Sequence, residues 1–316
     1  MRIALAGDTM LGRGVAERLD ADPRAVLFDP AVAAICREAD FFMVNLECCV
    51  SERGEPWAAP GKPFFFRAPP VVAELLVSLG VDCVNLANNH ALDFGHDALL
   101  DTFDHLRSVG IRWVGAGTDL AAARSPEVLE KDGFRLHVLG VSDHPDDFEA
   151  GPDRPGVALA GFDEGVPPWL LDAIRAAEGD AVLVSPHWGP NMLAEPRPRI
   201  RAAASSLVAA GATLVAGHSA HVFHGVDPPI LYDLGDFVDD YAVDPVLRND
   251  LGLLFVVTIT SGRVTQIEAI PLKLDYCHTT LASNDGATWI RERFSSACER
   301  FGTSIETHDD RLIIRA

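Results

Sequence analysis

Residues able to hold a cation or move a proton recur in one kind of place in this chain, just after a short apolar run. Asp8 follows RIALAG, Glu47 follows FFMVNL, Asn88, Asn89 and His90 follow DCVNLA, and His187 follows DAVLVSP. His218 and His221 follow ATLVAG in the segment GHSAH. Carboxylates, an amide oxygen and imidazoles suit Mn²⁺, Fe or Zn²⁺ better than they suit a soft-thiolate site. Each segment alone has a plainer reading. Gly7-Asp8 reads as a turn or helix cap, Glu47 as an ion-paired carboxylate and Asn88-Asn89-His90 as a solvated turn, and His224 and Asp227 make the GHSAH loop simply polar. Coincidence at five strand ends is a different matter, and the set together points to a metal centre.

The elements that must position these residues are legible from periodicity. Strand-like runs at 2–7, 41–46 and 82–87 alternate with helical patterns near 13–20, 31–39, 71–80 and 97–110, the last two stopped by Gly80 and Gly110. Two further strand–helix units start at 180–189 and 212–221. Such alternation predicts a layered α/β fold with a largely parallel sheet, and the carboxyl ends of parallel strands share one edge, where ligands bind. Asp132-Gly133 and Ser261-Gly262 read as hairpin turns, and the last segment as a helix followed by the strand RLIIR. The Pro-rich stretches 56–70 and 145–168 read as long loops on one rim.

Bulk properties narrow the partners. The 316 residues are 48% hydrophobic and 23% charged, enough for one large domain with an appendage. A formal net charge of −20 disfavours nucleic acid and anionic membrane surfaces, yet leaves room for an anionic substrate beside a bound cation. The N-terminal apolar run is too short for a signal peptide, no run approaches a membrane span, and the expectation is a cytoplasmic chain. The six cysteines, Cys48-Cys49 among them, form no CxxC pair and read as buried thiols.

GDTMLGR, NLE, KPFFFRAPP, LANNHALDFG, GAG, HWG, GHSAHV and LYDLGDF, in this order, resemble the CapA family of poly-γ-glutamate capsule biosynthesis proteins, related to the calcineurin-like metallophosphoesterases. The resemblance runs from residue 1 to about 273. It implies a metallophosphatase-like α/β/β/α sandwich with mostly parallel or mixed sheets over residues 1–275, and a helix–strand extension over 276–316 packed on the same domain. It implies that Asp8 binds a first metal and that Glu47 bridges. Asn89, His187 and His218 then bind a second metal, and His221 returns to the first. His90 would be the acid–base or phosphate-binding neighbour, outside the ligand set. Arg13 and Arg67, in motif-bearing loops, could receive a substrate phosphate or carboxylate.

Two positions depart from the pattern. Met10 stands where the superfamily's first motif usually has a histidine, which thins the first shell. It also leaves open a single-metal centre on His187, His218, Asn89 and Glu47. Asp236 stands in GDF where CapA-like chains usually read GNF; a carboxylate there either compensates at the metal or caps a turn, and the cap is the reading preferred. The function implied is hydrolysis of a phosphoester or a γ-glutamyl amide with one or two divalent ions, on a small molecule or an anionic polymer. The competing reading is a non-catalytic polymer-binding or assembly factor.

Overall fold

Strand Arg2–Thr9 turns Ile3 and Leu5 to one face and Ala4 and Ala6 to the other, and all four are buried. A strand apolar on both faces belongs inside a sheet that is covered on both sides. Phe41–Leu46 repeats this, with Phe41 and Met43 on one face and Phe42 and Val44 on the other. The computed structural model describes residues 1–58 and 60–316.

The first sheet centres on Arg2–Thr9. Phe41–Leu46 pairs with it in parallel, followed outward by Cys83–Asn85 and Arg112–Val114, also parallel. On its other side Leu251–Thr260 pairs antiparallel and carries the hairpin strand Arg263–Asp275. The second sheet is built on Phe134–Ser142, Ala181–His187, Leu214–Ala216 and Ile230–Leu231, all parallel. The hairpins turn at the two dipeptides expected, Asp132-Gly133 and Ser261-Gly262. Both sheets are thus largely parallel at the centre and mixed at the edges, as the resemblance implies, because the 251–275 hairpin closes one side of the first and the 127–142 hairpin edges the second.

The sheets lie face to face. Ile3, Leu5, Phe41 and Met43 of the first meet Leu136, Val138, Leu183 and Leu214 of the second in one apolar layer. Helices Arg13–Ala21, Pro30–Arg37, Val71–Leu79 and Gly95–Ser108 cover the outer face of the first sheet through Leu19, Val32, Leu76, Leu99 and Phe103. Helices Pro168–Ala176 and Pro198–Ala210 cover the second through Leu170, Ile174, Ala204 and Leu207. The order helix, sheet, sheet, helix is the layered sandwich implied by the resemblance. Helix Asn284–Glu299 contributes Ile290, Phe294 and Cys298 to the inter-sheet layer, and Arg311–Arg315 pairs with Arg263–Asp275, so residues beyond 275 share the main core.

Local chemistry sets the helix ends. Asp29 caps Pro30–Arg37 by accepting from the Ala31 amide at 2.8 Å, with Pro30 in the first turn. Val71–Leu79 buries Val72, Leu76 and Leu79, spaced for one helical face, and stops at Gly80 with φ 86°. No helix among the described residues is long and apolar enough to cross a membrane.

Candidate metal centre

The carboxyl ends of parallel strands from both sheets converge on one buried cluster. Asp8 lies on Arg2–Thr9 and is fully buried, and Glu47 is fully buried one residue beyond Phe41–Leu46. Asn89 and His90 follow Cys83–Asn85, while His187 ends Ala181–His187. His218 and His221 follow Leu214–Ala216, and His187 and His218 are joined by a parallel bridge.

Distances inside the cluster are short. His221 Nδ1 lies 3.2 Å from Asp8 Oδ2, and His218 Nδ1 lies 3.8 Å from Asp8 Oδ1. Glu47 Oε1 is 3.8 Å from His187 Nε2 and 3.9 Å from His90 Nε2. The Glu47 and His218 separations exceed hydrogen bonds and leave Glu47 Oε1, His187 Nε2 and His218 Nδ1 unpaired. Both carboxylate oxygens of Glu47, Asn89 Oδ1, His187 Nε2, His218 Nδ1 and Asp236 Oδ2 are buried without a hydrogen-bond partner in the protein. An unpaired buried carboxylate or imidazole nitrogen is costly, and one shared cation satisfies several at once. The donor set thus fits a divalent metal.

Neighbouring residues fix the orientation of these donors. Ser185 Oγ lies 2.9 Å from His218 Nε2 and leaves Nδ1 directed at the cluster. Asn45 donates Nδ2 to Asp8 Oδ1 at 2.7 Å and lies 3.3 Å from His187 Nδ1. Its own Oδ1 accepts from Asn85 and Asn88, so three asparagines brace the floor. Asn88 also accepts from the His90 amide at 3.1 Å, and its role is to hold the turn that presents Asn89 and His90. The GHSAH loop is strained: Ser219 and His221 have φ of 110° and 59°, a left-handed backbone rare for residues with side chains. Ser219 uses that conformation to donate its amide to Asp8 Oδ2 at 3.2 Å.

Asp236 is not a turn cap, which corrects the expectation. Asp233 fills that role, accepting from the amides of Ala220 and Gly235 at 2.8 and 2.9 Å. Asp236 stands beside Asp8 in the parallel pairing of Asp236–Val238 with Arg2–Thr9, and its Oδ1 lies 2.8 Å from His221 Nδ1. Ligand atoms of Asp8, His221 and Asp236 all lie within 4.8 Å of one another. Met10 is fully buried in the apolar layer under the helices.

Electrostatics follow from burial. Burial, reinforced by Asp8, pushes the Glu47 carboxyl well above its usual range. Burial also drives His187 well below 6.5 and His218 to about 4, which keeps both imidazoles neutral and able to donate to a metal. Burial alone would lower His221 too, but Asp236, Glu47 and Asp8 outweigh it and hold its pKa well above the ordinary value.

His90 stands apart from the donors. Its Nδ1 lies 2.6 Å from Asp93 Oδ2, and Asp93 Oδ1 lies 2.6 Å from Lys62 Nζ. Lys62 also donates to the Asn89 carbonyl oxygen, so one ammonium steadies both ends of the turn. Arg13 lies over Phe64, Phe66 and Tyr241 and pairs through Nε with Asp240 at 3.2 Å; Phe66 and Tyr241 in turn pack edge-on against His90 and His221. Arg67 is used differently: it donates to the carbonyls of Arg53 and Gly54 and covers Phe94, bracing a loop.

Sequence reading missed Asn45, Lys62, Asp93 and His144. His144 sits with its ring 5.3 Å from that of His187, and its Nδ1 is 2.5 Å from Asp143. Asp93, three residues after His90, and Lys62, opening KPFFFRAPP, lie inside the family's motifs. Asn45 and His144 carried no signal of their own.

Comparison with known proteins agrees with this construction. A probable polyglutamine synthesis accessory protein of Mycobacterium tuberculosis is 34% identical over 297 residues, covering 87% of this chain and 76% of the relative. The capsule biosynthesis protein CapA of Bacillus anthracis is 29% identical over 255 residues, covering 76% of this chain and 60% of the relative. The PGA biosynthesis protein CapA of Bacillus subtilis is 30% identical over 243 residues, covering 75% and 63%. A hypothetical protein from Thermus thermophilus, solved by crystallography, shares the fold at 18% identity with a TM-score of 0.53, covering 86% of this chain and 99% of that one. The family profile for the bacterial capsule synthesis protein PGA_cap matches residues 2–241, a span that holds every residue of the cluster, and the chain belongs to that family.

Proposed function

We propose that the chain is a metal-dependent hydrolase acting on a phosphoester or a γ-glutamyl amide. One observation carries this reading: Glu47, Asn89, His187 and His218, at the ends of four strands, keep buried donor atoms with no partner in the protein, and Glu47 Oε1 lies 3.8 Å from His187 Nε2 as His218 Nδ1 does from Asp8 Oδ1. Asp8 and His221 would hold one divalent ion and Asn89, His187 and His218 another, with Glu47 available to either. Mn, Fe and Zn all suit such mixed oxygen and nitrogen donors. A divalent ion there supplies Lewis-acid activation of water and neutralises charge that develops on the substrate.

The remaining chemistry belongs to the protein's own groups. His90 donates a hydrogen bond from Nδ1–H to Asp93 Oδ2, which fixes the ring and leaves Nε2, 3.9 Å from Glu47 Oε1, facing the cluster. Burial lowers its pKa, so the neutral ring can take a proton at Nε2 and pass it to a leaving oxygen or nitrogen. Lys62 compensates the Asp93 charge. Arg13, steadied by Asp240 and three aromatic rings, would bind a phosphate or carboxylate of the substrate.

The names of the relatives, an accessory protein and biosynthesis proteins, favour a second reading, a non-catalytic role in handling poly-γ-glutamate. Turnover separates the two. Metal-loaded protein is assayed on a chromogenic phosphodiester and a γ-glutamyl anilide, beside His90→Ala. The hydrolase reading expects turnover of one substrate, a rate lowered roughly 10²–10⁴-fold in the variant, and unchanged metal content. Bound metal without turnover of either substrate favours the binding role, and loss of metal from His90→Ala removes His90 from its assigned part.

A further inference from the structure

The two halves of the cluster are chemically unlike. In the set assigned to the second ion with Asn89, the buried, unpaired donors include two imidazole nitrogens, His187 Nε2 and His218 Nδ1, the latter 3.8 Å from Asp8 Oδ1. Toward Asp8 the residues are two carboxylates and one imidazole, with the Glu47 carboxylate adjoining. The difference arises at two positions. Met10 is packed in the apolar helix-side layer with no exposure and brings no ligand atom. Asp236 is 1% exposed, and its Oδ2 has no partner although Oδ1 sits 2.8 Å from His221 Nδ1.

The backbone explains how Asp236 arrives. Asp236–Val238 adds to the carboxyl end of Arg2–Thr9 in parallel, with Asp8 and Asp236 as cross-strand partners. Cross-strand partners project to the same face about 5 Å apart, close enough for both carboxylates to reach one ion. The Gly235 carbonyl secures this register by accepting from the Asp8 amide at 2.9 Å. A capping role is already filled by Asp233, and the other side chain that reaches Asp236 is the buried carboxyl of Asp239, which brings a further oxygen rather than a cation.

We infer that Asp236 is a direct ligand of the first cation, standing in for the imidazole that Met10 does not supply, and that it makes this half an oxygen-rich site. The inference rests on reading the cluster as a metal centre. Oxygen donors favour Mn²⁺ relative to Zn²⁺, whereas paired imidazoles favour Zn²⁺, so the two halves differ in metal preference. A mixed pair of ions is the expected resting content when both metals are supplied.

Metal-free full-length chain titrated calorimetrically with Mn²⁺, and separately with Zn²⁺, tests this directly. Wild type is expected to take two Mn²⁺ ions. Asp236→Asn, nearly the same size, should weaken one by about 100-fold or more, above the effect usual for residues behind the ligands. His187→Ala should weaken the other, and the double variant should take neither. Zn²⁺ uptake by Asp236→Asn, at the imidazole half, reports that the variant is folded. A wild-type chain that binds ions while Asp236→Asn matches it in number and affinity overturns the inference alone. A wild-type chain that binds no ion sinks the metal centre itself. Wild-type crystals soaked in Mn²⁺ give a check that needs no variant: an anomalous peak at bonding distance (about 2.2 Å) from Asp236 Oδ2 supports the assignment, and one clearly beyond it refutes it.

Discussion

Removing divalent metal should destabilise this protein, and the structure sets the scale. Ligand oxygens of Asp8 and Asp236 lie within 4.8 Å of one another. At an effective dielectric constant of 20, two full negative charges at that separation repel by about 3.5 kcal/mol. The charged His221 lies against both, 3.2 Å from Asp8 Oδ2 and 2.8 Å from Asp236 Oδ1, and offsets much of this term. Glu47 has no cation in contact: His187 and His90, at 3.8 and 3.9 Å, are kept neutral by burial, and the charged His221 acts on it only from farther away. An ion that binds only the folded chain adds about 2.7 kcal/mol of stability at a hundredfold excess over its dissociation constant. For a chain of this size that corresponds to roughly 5 °C in Tm per ion. Scanning calorimetry in excess EDTA against a Mn²⁺ or Zn²⁺ series should therefore show Tm rising with the logarithm of metal concentration. Glu47→Gln should flatten that rise. A Tm that is indifferent to metal, in protein whose near-ultraviolet spectrum shows native packing, would refute the reasoning.

Three other perturbations have defined outcomes. His187→Ala and His218→Ala should each lower bound metal, measured by elemental analysis, while His105→Ala, outside the cluster, leaves it unchanged. Gly7→Ala would place a Cβ 1.8 Å from the Gly235 carbonyl oxygen, so the strand carrying Asp8 must shift from Asp236; unfolding in urea should show a loss of about 3 kcal/mol. Asp250 links stability to acid. Burial alone would raise its pKa, but Arg248 and Lys273, each with a nitrogen 2.6 Å away, override it and hold it at about 2. A depressed folded-state pKa means the contribution is complete above the unfolded value and is lost as pH falls from about 4 toward 2. Discounted for solvent, it is roughly 1–2 kcal/mol. Asp250→Asn should lower urea stability at pH 7 by that amount and narrow the gap from wild type near pH 2; a constant gap across that range would contradict the assignment.

Seven of the cluster's residues, Asp8, Glu47, Asn89, His90, His187, His218 and His221, were legible from one rule: a polar side chain directly after an apolar strand must be used or it costs stability. That rule is local, so the sequence alone sufficed. Helix stops and both hairpin turns were legible for the same reason, since Gly80, Asp132-Gly133 and Ser261-Gly262 act on their own backbone.

Pairing decided the rest. Periodicity says that Leu251–Thr260 is a strand but not that it lies antiparallel beside Arg2–Thr9, and that pairing makes the first sheet mixed. Asp236 reads as a turn residue in LYDLGDF until the register sets it beside Asp8. Asn45 becomes part of the site only when Asp8 and His187 arrive from other strands, and Lys62 only when its loop folds over Asp93. The sequence thus determined which side chains would be left wanting a partner at strand ends. Only the tertiary structure decided which of them share one, because that depends on strand order and register, which bring distant segments within a few ångströms.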